Sequence, residues 1–319
     1  MAGAEADMSL QRALELARAA RERAYPKPTV GAVVEAGGEV VGEGATEAGG
    51  RHAEVVALDA AGERARGGTM FVTLEPCAHW GTTPPCADRV IEAGVARVVI
   101  GARDPNPEAA GGIERLQAAG VEVELTDSFE ARRLHEVFRT RARLGRPFVI
   151  YKVAMTLDGR IEVPGERWVS GVESRRLVHE LRARVDAVAV GAGTARADRP
   201  RLDARDVETP RGQPRRLVFS RNALPDGLDL EVHAGPLAEE LRSLASEGVQ
   251  SLLLEGGPTL AAAFLAEGLV DKVLVFVAPT LAGEGRSPVA PLLSALSLSH
   301  LTATQVGDDV LLEAYVHEP

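Results

Sequence analysis

The sequence is poor in the features that mark secreted, membrane and nucleic-acid-binding proteins. Only two of its 319 residues are cysteines, which excludes a disulfide-stabilised scaffold and favours a cytoplasmic, reducing location. Aromatic residues make up only 4% of the chain, so few side chains are available for stacking on nucleobases. No run of about 18 apolar residues occurs, so a transmembrane helix is not expected. The N-terminus has no basic region followed by an apolar stretch, and so does not resemble a secretory signal.

The chain also lacks an excess of positive charge. Lys and Arg total 36 against 46 Asp and Glu, which gives a formal net charge of −10. A surface of this sign argues against nucleic acid or an anionic membrane as a partner. A phosphorylated small substrate remains compatible, because it needs only a local basic pocket. The content of 45% hydrophobic and 26% charged residues is typical of a globular protein, and the length favours two domains.

Helix-like and strand-like segments alternate through the first half of the sequence. Apolar residues at helical spacing predict a first helix over residues 8–24, which Pro26 and Pro28 end. The strands predicted after it are residues 29–34, 69–73, 96–100 and 121–125, and residues 40–41 are expected to pair with the first of these across the turn at 37–38. The predicted helices are 53–65, 87–93, 112–119 and 129–144. Alternation of this kind predicts an α/β layered domain with parallel strands.

The second half alternates in the same way after Gly145-Arg146-Pro147, where we place the domain boundary. The predicted domains are residues 1–145 and 146–319. The strands expected in the second are residues 148–154, 186–190, 216–219, 251–254 and 272–278, with helices at 173–184, 237–246 and 259–267. A hairpin over residues 301–316 closes the chain, so a second α/β domain is expected.

Three potential metal ligands lie at the ends of predicted strands and helices in the first half. His52 opens a helix, Cys77 follows a strand and Cys86 opens another helix. One imidazole and two thiolates can fill three corners of a tetrahedral zinc site and leave the fourth for water, whose pKa zinc lowers. Glu54, two residues after His52, is placed to transfer protons. Taken singly, each of these residues is more often structural; together they predict a catalytic zinc site of the deaminase type.

Other motifs leave alternatives open. His79 is either a group near the metal or substrate, or an ordinary polar loop residue. Gly256-Gly257-Pro258-Thr259, between a strand and a helix, either binds a pyrophosphate through backbone N–H groups or forms a plain tight turn. Gly191-Ala192-Gly193 is a poor dinucleotide fingerprint, because Arg196 stands where a third glycine is required.

Several stretches together resemble one family, the bifunctional deaminase/reductases of riboflavin biosynthesis. Residues 73–86 (TLEPCAHWGTTPPC) and 104–107 (DPNP) are similar to its pyrimidine deaminase half. Residues 151–160, 190–200 and 255–260 look like its reductase half, which is itself similar to dihydrofolate reductases. The resemblance covers essentially the whole chain. It implies a cytidine-deaminase-like layered domain followed by a dihydrofolate-reductase-like α/β domain.

The resemblance also implies a function and a set of site residues. The first domain is expected to deaminate a phosphoribosylamino-diaminopyrimidinone, using one Zn²⁺ per chain on His52, Cys77 and Cys86 with Glu54 as acid and base. The second is expected to reduce the ribosyl group to ribityl with NADPH, and Asp198 is implied beside the carbon that takes the hydride. The implied NADPH site is Ala154, Trp168, Thr194, Asp198, Ser220, Gly257, Pro258 and Thr259. The implied substrate contacts are Arg182, Leu202, Arg205 and Glu255. We expect a homo-oligomer without nucleic-acid or membrane partners.

The deaminase half departs from the family pattern at substrate-facing positions. Lys27 replaces an asparagine that reads the pyrimidine, and we expect Lys27 to contact the substrate instead. Thr46 stands where the family often has His, and Thr82 where it has Lys or Arg. In the reductase half, the stretch 165–168 is shorter than usual and lacks a serine. Two alternatives therefore stay open: the deaminase domain acts on another substrate of specialised metabolism, or it is a structural zinc domain beside a working reductase.

Overall fold

The computed structural model describes residues 2–80 and 84–319. The chain forms two compact units, which divide between Arg143 and Leu144. This division falls two residues before the boundary placed from the sequence. Among the described helices, none combines the length and the hydrophobicity needed to cross a membrane. Each unit is an α/β structure, as the alternation of strands and helices predicts.

The first unit is built on a mixed sheet. Its strands are β1 (Gly31–Ala36), β2 (Glu39–Ala45), β3 (Thr69–Val72), β4 (Arg97–Ile100) and β5 (Glu122–Leu125). Its helices are α1 (Ala2–Ala24), α2 (Ala53–Ala61), α3 (Cys86–Glu92), α4 (Gly112–Ala118), α5 (Phe129–Leu134) and α6 (Glu136–Leu144), with a short 3₁₀ helix at Gly62–Ala65. Within the described residues the strand order is β2-β1-β3-β4-β5. Strand β1 is antiparallel to β2 and β3, whereas β3, β4 and β5 are parallel.

This topology brings three chain segments to one edge of the sheet. The carboxyl ends of the parallel strands β3 and β4 lie there, followed by residues 73–77 and 101–106. The amino end of β1 lies at the same edge because β1 runs the other way, and the Gly31 N–H donates to the Thr73 hydroxyl at 3.2 Å. Residues 27–30, which lead into β1, are therefore next to the segments that follow β3 and β4.

Helices cover both faces of this sheet. In β3 the side chains of Met70 and Val72 join the apolar cluster formed by α2, α3 and α4, whereas Phe71 joins the cluster with α1. This alternation follows from the two-residue repeat of a strand. The sheet is thus held between two apolar layers, which fixes the elements that carry the site.

The second unit contains a larger, mainly parallel sheet. Its strands are β6 (Phe148–Thr156), β7 (Ala187–Gly191), β8 (Arg215–Phe219), β9 (Glu231–His233), β10 (Ser251–Leu254), β11 (Lys272–Ala278), β12 (Ser299–Val306) and β13 (Asp309–Tyr315). Its helices are α7 (Val172–Arg182), α8 (Ala192–Asp198), α9 (Leu237–Ser246) and α10 (Pro258–Ala266). The strand order in the described chain is β12-β13-β11-β6-β10-β7-β8-β9. Strands from β11 to β9 are parallel, and the β12–β13 hairpin is antiparallel at one edge.

The central strands of the second unit are buried on both faces. In β7, Ala187 and Ala189 face one apolar cluster, whereas Val188 and Val190 face the other. A strand buried on both faces reads as a continuous apolar run, as residues 187–190 do. The sheet therefore presents its strand ends, rather than its faces, to ligands.

Three elements differ from the expectation. The helix predicted over residues 129–144 is two helices, α5 and α6, because the backbone turns at His135 with φ −102° and ψ 13°. Helix α8 was not predicted, because Gly193 in its first turn weakens the helical pattern. The short edge strand β9 was not predicted, because three residues with two exposed side chains carry no period.

Candidate functional site

The three predicted metal ligands converge in the first unit. His52 is the N-cap of α2, Cys77 lies in the loop after β3, and Cys86 is the first residue of α3. The His52 Nδ1 atom is 3.1 Å from the Cys86 Sγ atom and 3.7 Å from the Cys77 Sγ atom. The three donor atoms all lie within 4.8 Å of one another. This is a donor set of one imidazole and two thiols, with a spacing that one small cation can bridge.

The chemistry of these donor atoms also suits a metal. A hydrogen bond from Cys86 lowers the pKa of the Cys77 thiol to about 4. The same interaction, together with burial, raises the pKa of the Cys86 thiol. Metal ligands must be deprotonated, and borderline-soft sulfur and nitrogen donors favour Zn²⁺. The donor chemistry at this position therefore fits zinc.

Glu54 lies beside the cluster, in the first turn of α2. Its side chain is almost fully buried, with 3% exposure, and burial raises the pKa of its carboxyl to about 7. The Oε2 atom has no hydrogen-bond partner among the described residues. A buried polar atom without a partner is destabilising, so this oxygen is available for water or substrate.

A cavity of about 350 Å³ connects these groups. Its lining residues are Lys27, Pro28, Val30, Thr46, His52, Glu54, Leu74, Glu75, Cys77, His79, Asp104, Asn106, Ala109 and Phe138. They come from the loops at the sheet edge described above, from the segment between β2 and α2, and from α2 and α6. The volume is of the size of pockets that enclose small molecules.

Two acidic residues in the cavity have roles that sequence reasoning missed. The Glu75 carboxylate accepts hydrogen bonds from the backbone N–H groups of Asp104, Gly111 and Ile113, at 3.1 to 3.2 Å. Glu75 therefore holds the loop after β4 against the loop that carries Cys77. Burial raises the pKa of the Asp104 carboxyl to about 6. The available signal was position, since both residues follow adjacent parallel strands.

Two residues that depart from the family pattern, Lys27 and Thr46, are at the same cavity, as is His79. The buried Thr46 hydroxyl accepts the Val30 N–H at 2.9 Å, so it fixes the segment that leads into β1. Thr82 lies outside the described residues.

In the second unit, the expected cofactor residues gather where the parallel strands end. Ala154 lies near the end of β6, Ser220 directly follows β8, and Thr194 is in α8 after β7. Gly257 is the N-cap of α10, with Pro258 and Thr259 in the first turn. A Cβ atom at position 257 would be 3.3 Å from the Thr194 hydroxyl oxygen. The two strand-end turns are therefore next to each other.

A buried ion cluster directly precedes the glycine turn. Glu255 accepts hydrogen bonds from Arg182 Nε at 2.6 Å and Nη2 at 3.0 Å, and the Lys152 ammonium is 3.6 Å away. Burial acts to raise the pKa of Glu255, but the charges of Lys152 and Arg182 outweigh it and lower the pKa to about 2. Sequence reasoning missed Lys152. It lies two residues before Ala154 in β6, so the two side chains are on the same face of the sheet.

The other expected substrate residues are connected to this cluster through Asp203. Arg182 Nη1 donates to the Asp203 carbonyl at 3.1 Å, and Arg205 pairs with the Asp203 carboxylate. Because Arg182 is committed to Glu255, Arg205, with 38% side-chain exposure, is the more accessible arginine. Leu202 is 2% exposed and packs in the core, so only its backbone can contact a ligand.

The remaining expected residues are on the surface. Asp198 is the last residue of α8 and is exposed. Trp168 is 55% exposed, and its ring lies against the guanidinium groups of Arg167 and Arg175, at 5.0 and 5.4 Å from the ring centre. The structure thus places Thr194, Ser220, Gly257 and Glu255 at one edge, with Asp198 and Trp168 on exposed segments.

Each unit matches the model of a known protein family. Residues 5–102 match the family model for the cytidine and deoxycytidylate deaminase zinc-binding region. This range contains His52, Glu54, Cys77 and Cys86. Residues 147–312 match a second model, the RibD C-terminal domain. With the second fold, these matches define a two-domain enzyme in which a zinc-binding deaminase domain precedes a reductase domain.

Relatives along the full chain identify the family. The riboflavin biosynthesis protein RibD of Aquifex aeolicus is 37% identical, over 94% of this chain and 95% of that protein. RibD of Mycobacterium tuberculosis is 39% identical over 96% of each chain. The solved structure of Acinetobacter baumannii RibD has a TM-score of 0.82 at 34% identity, covering 98% of both chains. The diaminohydroxyphosphoribosylaminopyrimidine deaminase/5-amino-6-(5-phosphoribosylamino)uracil reductase of Thermotoga maritima has a TM-score of 0.80 at 33% identity and covers 99% of both.

The chain belongs to the RibD family of riboflavin-biosynthesis enzymes, which combine a deaminase with a reductase. The resemblance and the two fold types expected from the sequence are confirmed. The alternative of a structural zinc domain does not account for the buried, unpartnered Glu54 oxygen.

Proposed function

We propose that the chain carries out two successive reactions on one phosphorylated pyrimidine. The first unit hydrolytically deaminates a diaminopyrimidinone that carries a phosphoribosylamino group. The second unit reduces the ribosyl group of the product to ribityl with NADPH. The name of the Thermotoga maritima relative supports this choice of substrates. The observation that carries the deaminase step is the buried Glu54 carboxyl beside three converging metal donors.

His52, Cys77 and Cys86 are the proposed zinc ligands, one Zn²⁺ per chain. Zinc, when bound, supplies a Lewis acid that makes water nucleophilic near neutral pH. Hydrolytic deamination adds water to the ring carbon and releases ammonia, so a proton must pass from the water to the leaving nitrogen. Glu54 is the buried carboxyl group next to this position, and its unpartnered Oε2 atom can accept that proton and return it.

Two substitutions test the deaminase proposal. Cys86→Ala removes a ligand and should abolish stable zinc binding, which metal analysis measures. Glu54→Gln should keep the zinc but reduce ammonia release by about a hundredfold or more, as expected for loss of a general acid and base. NADPH oxidation on pre-deaminated substrate is the internal control and should be retained. Full zinc occupancy in Cys86→Ala, or unchanged ammonia release in Glu54→Gln, would contradict the proposal.

For the reductase step we propose that NADPH lies along the strand ends of the second unit. NADPH, when bound, supplies the hydride. The backbone N–H groups of Gly257, Thr259 and their neighbours at the start of α10 are suited to phosphate oxygens, because a helix N-terminus favours negative charge. Thr194 lies against this turn, and Ala154, Ser220 and Trp168 are the remaining proposed contacts.

The proposed substrate site of the second unit adjoins the cofactor turn. Arg205 holds the substrate phosphate, while Arg182 and Glu255 support the site through their ion pair and Leu202 through its backbone. Asp198 is one helical turn after Thr194, so it lies on the same face of α8 and is the proposed catalytic group.

Two variants separate these roles. Arg205→Ala should mainly raise KM, because a phosphate contact is shared by ground and transition states. Asp198→Asn should slow hydride transfer while NADPH still binds, as followed by fluorescence titration. If Asp198→Asn reduces the substrate at the wild-type rate, or fails to bind NADPH, the catalytic assignment of Asp198 is wrong.

We also propose a cytoplasmic homo-oligomer. Both cysteines are free, and a reducing compartment keeps them available as metal ligands. Strand β12 is an edge strand with mostly exposed side chains. Leu301 in this strand is 67% exposed, and Leu281 and Leu293, in the segment that precedes it, are 73% and 104% exposed. Exposed apolar surface beside an unpaired edge is typical of an association site. Light scattering on the purified protein tests this, and a monomer at micromolar concentration would contradict it.

A further inference from the structure

The deaminase cavity carries one cation that the proposed chemistry does not use. Among the described residues that line it, Lys27 is the only Lys or Arg. Three carboxyl groups also line it, those of Glu54, Glu75 and Asp104. A phosphorylated substrate that enters this cavity therefore meets an acidic wall with a single ammonium group.

The backbone around Lys27 is fixed at both ends. The Lys27 N–H donates to the Ala24 carbonyl at 3.0 Å, at the end of α1. Beyond Lys27, the Thr46 hydroxyl accepts the Val30 N–H at 2.9 Å and donates to the Pro28 carbonyl at 3.4 Å. The lysine is therefore held at one position on the cavity rim.

The side chain of Lys27 extends over the turn that leads to the metal cluster. A Cβ atom at Gly50 would lie 2.9 Å from the Lys27 Nζ atom, so the ammonium occupies the space that a side chain at position 50 would fill. Gly50 is two residues before His52. The ammonium thus faces the cavity from the rim beside a metal ligand.

The Lys27 ammonium also has no carboxylate partner in the described part of the chain. The nearby Arg51 is different, since its guanidinium pairs with Asp59 at 2.5 Å. The chain contains three lysines. The other two, Lys152 and Lys272, are largely buried and paired with carboxylates, at 3.6 and 3.4 Å. Lys27 is the exposed lysine whose charge is available to a ligand.

The positions of Glu54 and Lys27 define how a substrate lies in the cavity. Glu54 is at the buried end, where the ring carbon must react, whereas Lys27 is at the exposed end. A phosphate dianion is strongly hydrated, so its favourable position is the exposed end, next to a cation. We infer that Lys27 binds the phosphate of the deaminase substrate and thereby determines specificity for phosphorylated pyrimidines. This inference rests on the deaminase activity proposed above.

A comparison of phosphorylated and dephosphorylated substrate tests the inference in the full-length zinc enzyme. Lys27→Met should raise KM for the phosphorylated substrate by about ten- to a hundredfold, the range expected for one charge-assisted hydrogen bond. KM for the phosphatase-treated substrate should stay within about twofold, and Lys27→Arg should restore most of the loss. Arg23→Met removes a nearby exposed cation outside the cavity and is the matched control, with little expected effect on either substrate.

The relative change in KM for the two substrates distinguishes a phosphate contact from other roles of Lys27. An equal rise in KM for both substrates would mean that Lys27 contacts the pyrimidine or supports the fold, and would overturn the inference. Unchanged KM for the phosphorylated substrate would overturn it as well. If the wild-type enzyme deaminates neither substrate, the proposed function fails, and a binding measurement then decides the role of Lys27.

That binding measurement uses the scarcity of lysine. Reductive ¹³C-methylation labels three lysines and the N-terminus, and the signal missing in Lys27→Met identifies Lys27. The deaminated, phosphorylated product, added without NADPH, should shift the Lys27 signal, and its dephosphorylated form should not. A Lys27 signal that moves with neither ligand, or equally with both, would overturn the inference whether or not the enzyme is a deaminase.

Discussion

Replacing Glu255 by Gln removes the charge that compensates two buried cations in the second unit. The Glu255 carboxylate pairs with Arg182 at 2.6 Å and with Lys152 at 3.6 Å. The three side chains are only 11%, 13% and 15% exposed, for Glu255, Arg182 and Lys152. Gln has nearly the same size, so the perturbation is electrostatic. It leaves two positive charges in a region with little water to screen them.

Two lines of reasoning give the magnitude. The charges of Lys152 and Arg182 overcome the effect of burial and lower the pKa of Glu255 from 4.5 to about 2. Since one pKa unit is about 1.4 kcal/mol, the ionised carboxylate stabilises the folded state by about 3 kcal/mol. Removing one partner of a buried pair typically costs about 3–5 kcal/mol. We therefore expect Glu255→Gln to lower the free energy of unfolding of the second unit by about 3–4 kcal/mol at pH 7.

The pH dependence has a definite sign. The pKa of Glu255 is lower in the folded than in the unfolded state, so its contribution is fully present above about pH 4.5. It is lost as the pH falls from about 4.5 towards about 2. The difference between wild type and Glu255→Gln should therefore be constant near neutrality and shrink in acid.

Urea denaturation at a series of pH values measures this difference. The chain has two tryptophans, so a Trp80→Phe background leaves Trp168 to report on the second unit. Glu162→Gln is the matched control, because its pair with Arg286 is exposed, with 46% and 68% side-chain exposure. An exposed pair contributes less than about 1 kcal/mol. A loss in Glu255→Gln no larger than in this control would refute the reasoning.

Two further predictions concern the first unit. Burial lowers the pKa of His135 from 6.5 to about 3, so the folded state keeps this imidazole neutral and stability falls as the pH drops from about 6.5 towards about 3. His135→Gln should remove up to about 5 kcal/mol of this acid sensitivity in urea denaturation. In the second prediction, Gly112→Ala should weaken zinc retention, because the added Cβ would lie 1.8 Å from the Pro76 carbonyl oxygen, directly before Cys77. Metal analysis after dialysis against a chelator measures the retained zinc.

Each of these predictions has its own control. For Gly112→Ala the control is Gly49→Ala, where no atom lies within 4 Å of the added Cβ, and zinc retention should be normal. Equal zinc retention in both alanine variants would show that the backbone accommodates the clash. For His135, the control is the same substitution at the exposed His300. If the free energy of unfolding of His135→Gln falls with acid as steeply as that of the wild type, burial of the imidazole is not the cause of the acid sensitivity.

The sequence by itself determined the fold class and the chemistry of the metal site. Strand and helix periods are local properties, so the α/β alternation in both halves was readable without contacts. The residue types His52, Glu54, Cys77 and Cys86 carry their chemistry wherever they are placed, and their combination indicated a zinc site of the deaminase type. Prediction from local patterns missed β9, which is too short to show an alternation of apolar and polar residues. It also missed the break at His135 between α5 and α6.

Tertiary structure alone decided which polar groups are available to ligands. Arg182 and Glu255 are 73 residues apart, and their pairing depends on how α7 packs beside β10. The same is true of Glu75, whose hydrogen bonds fix a loop 29 to 38 residues further along the chain. Leu202 packs into the core, and Lys27 reaches the rim of the cavity. Burial and long-range pairing determine charge, pKa and accessibility, and these quantities depend on neighbours that no local pattern specifies.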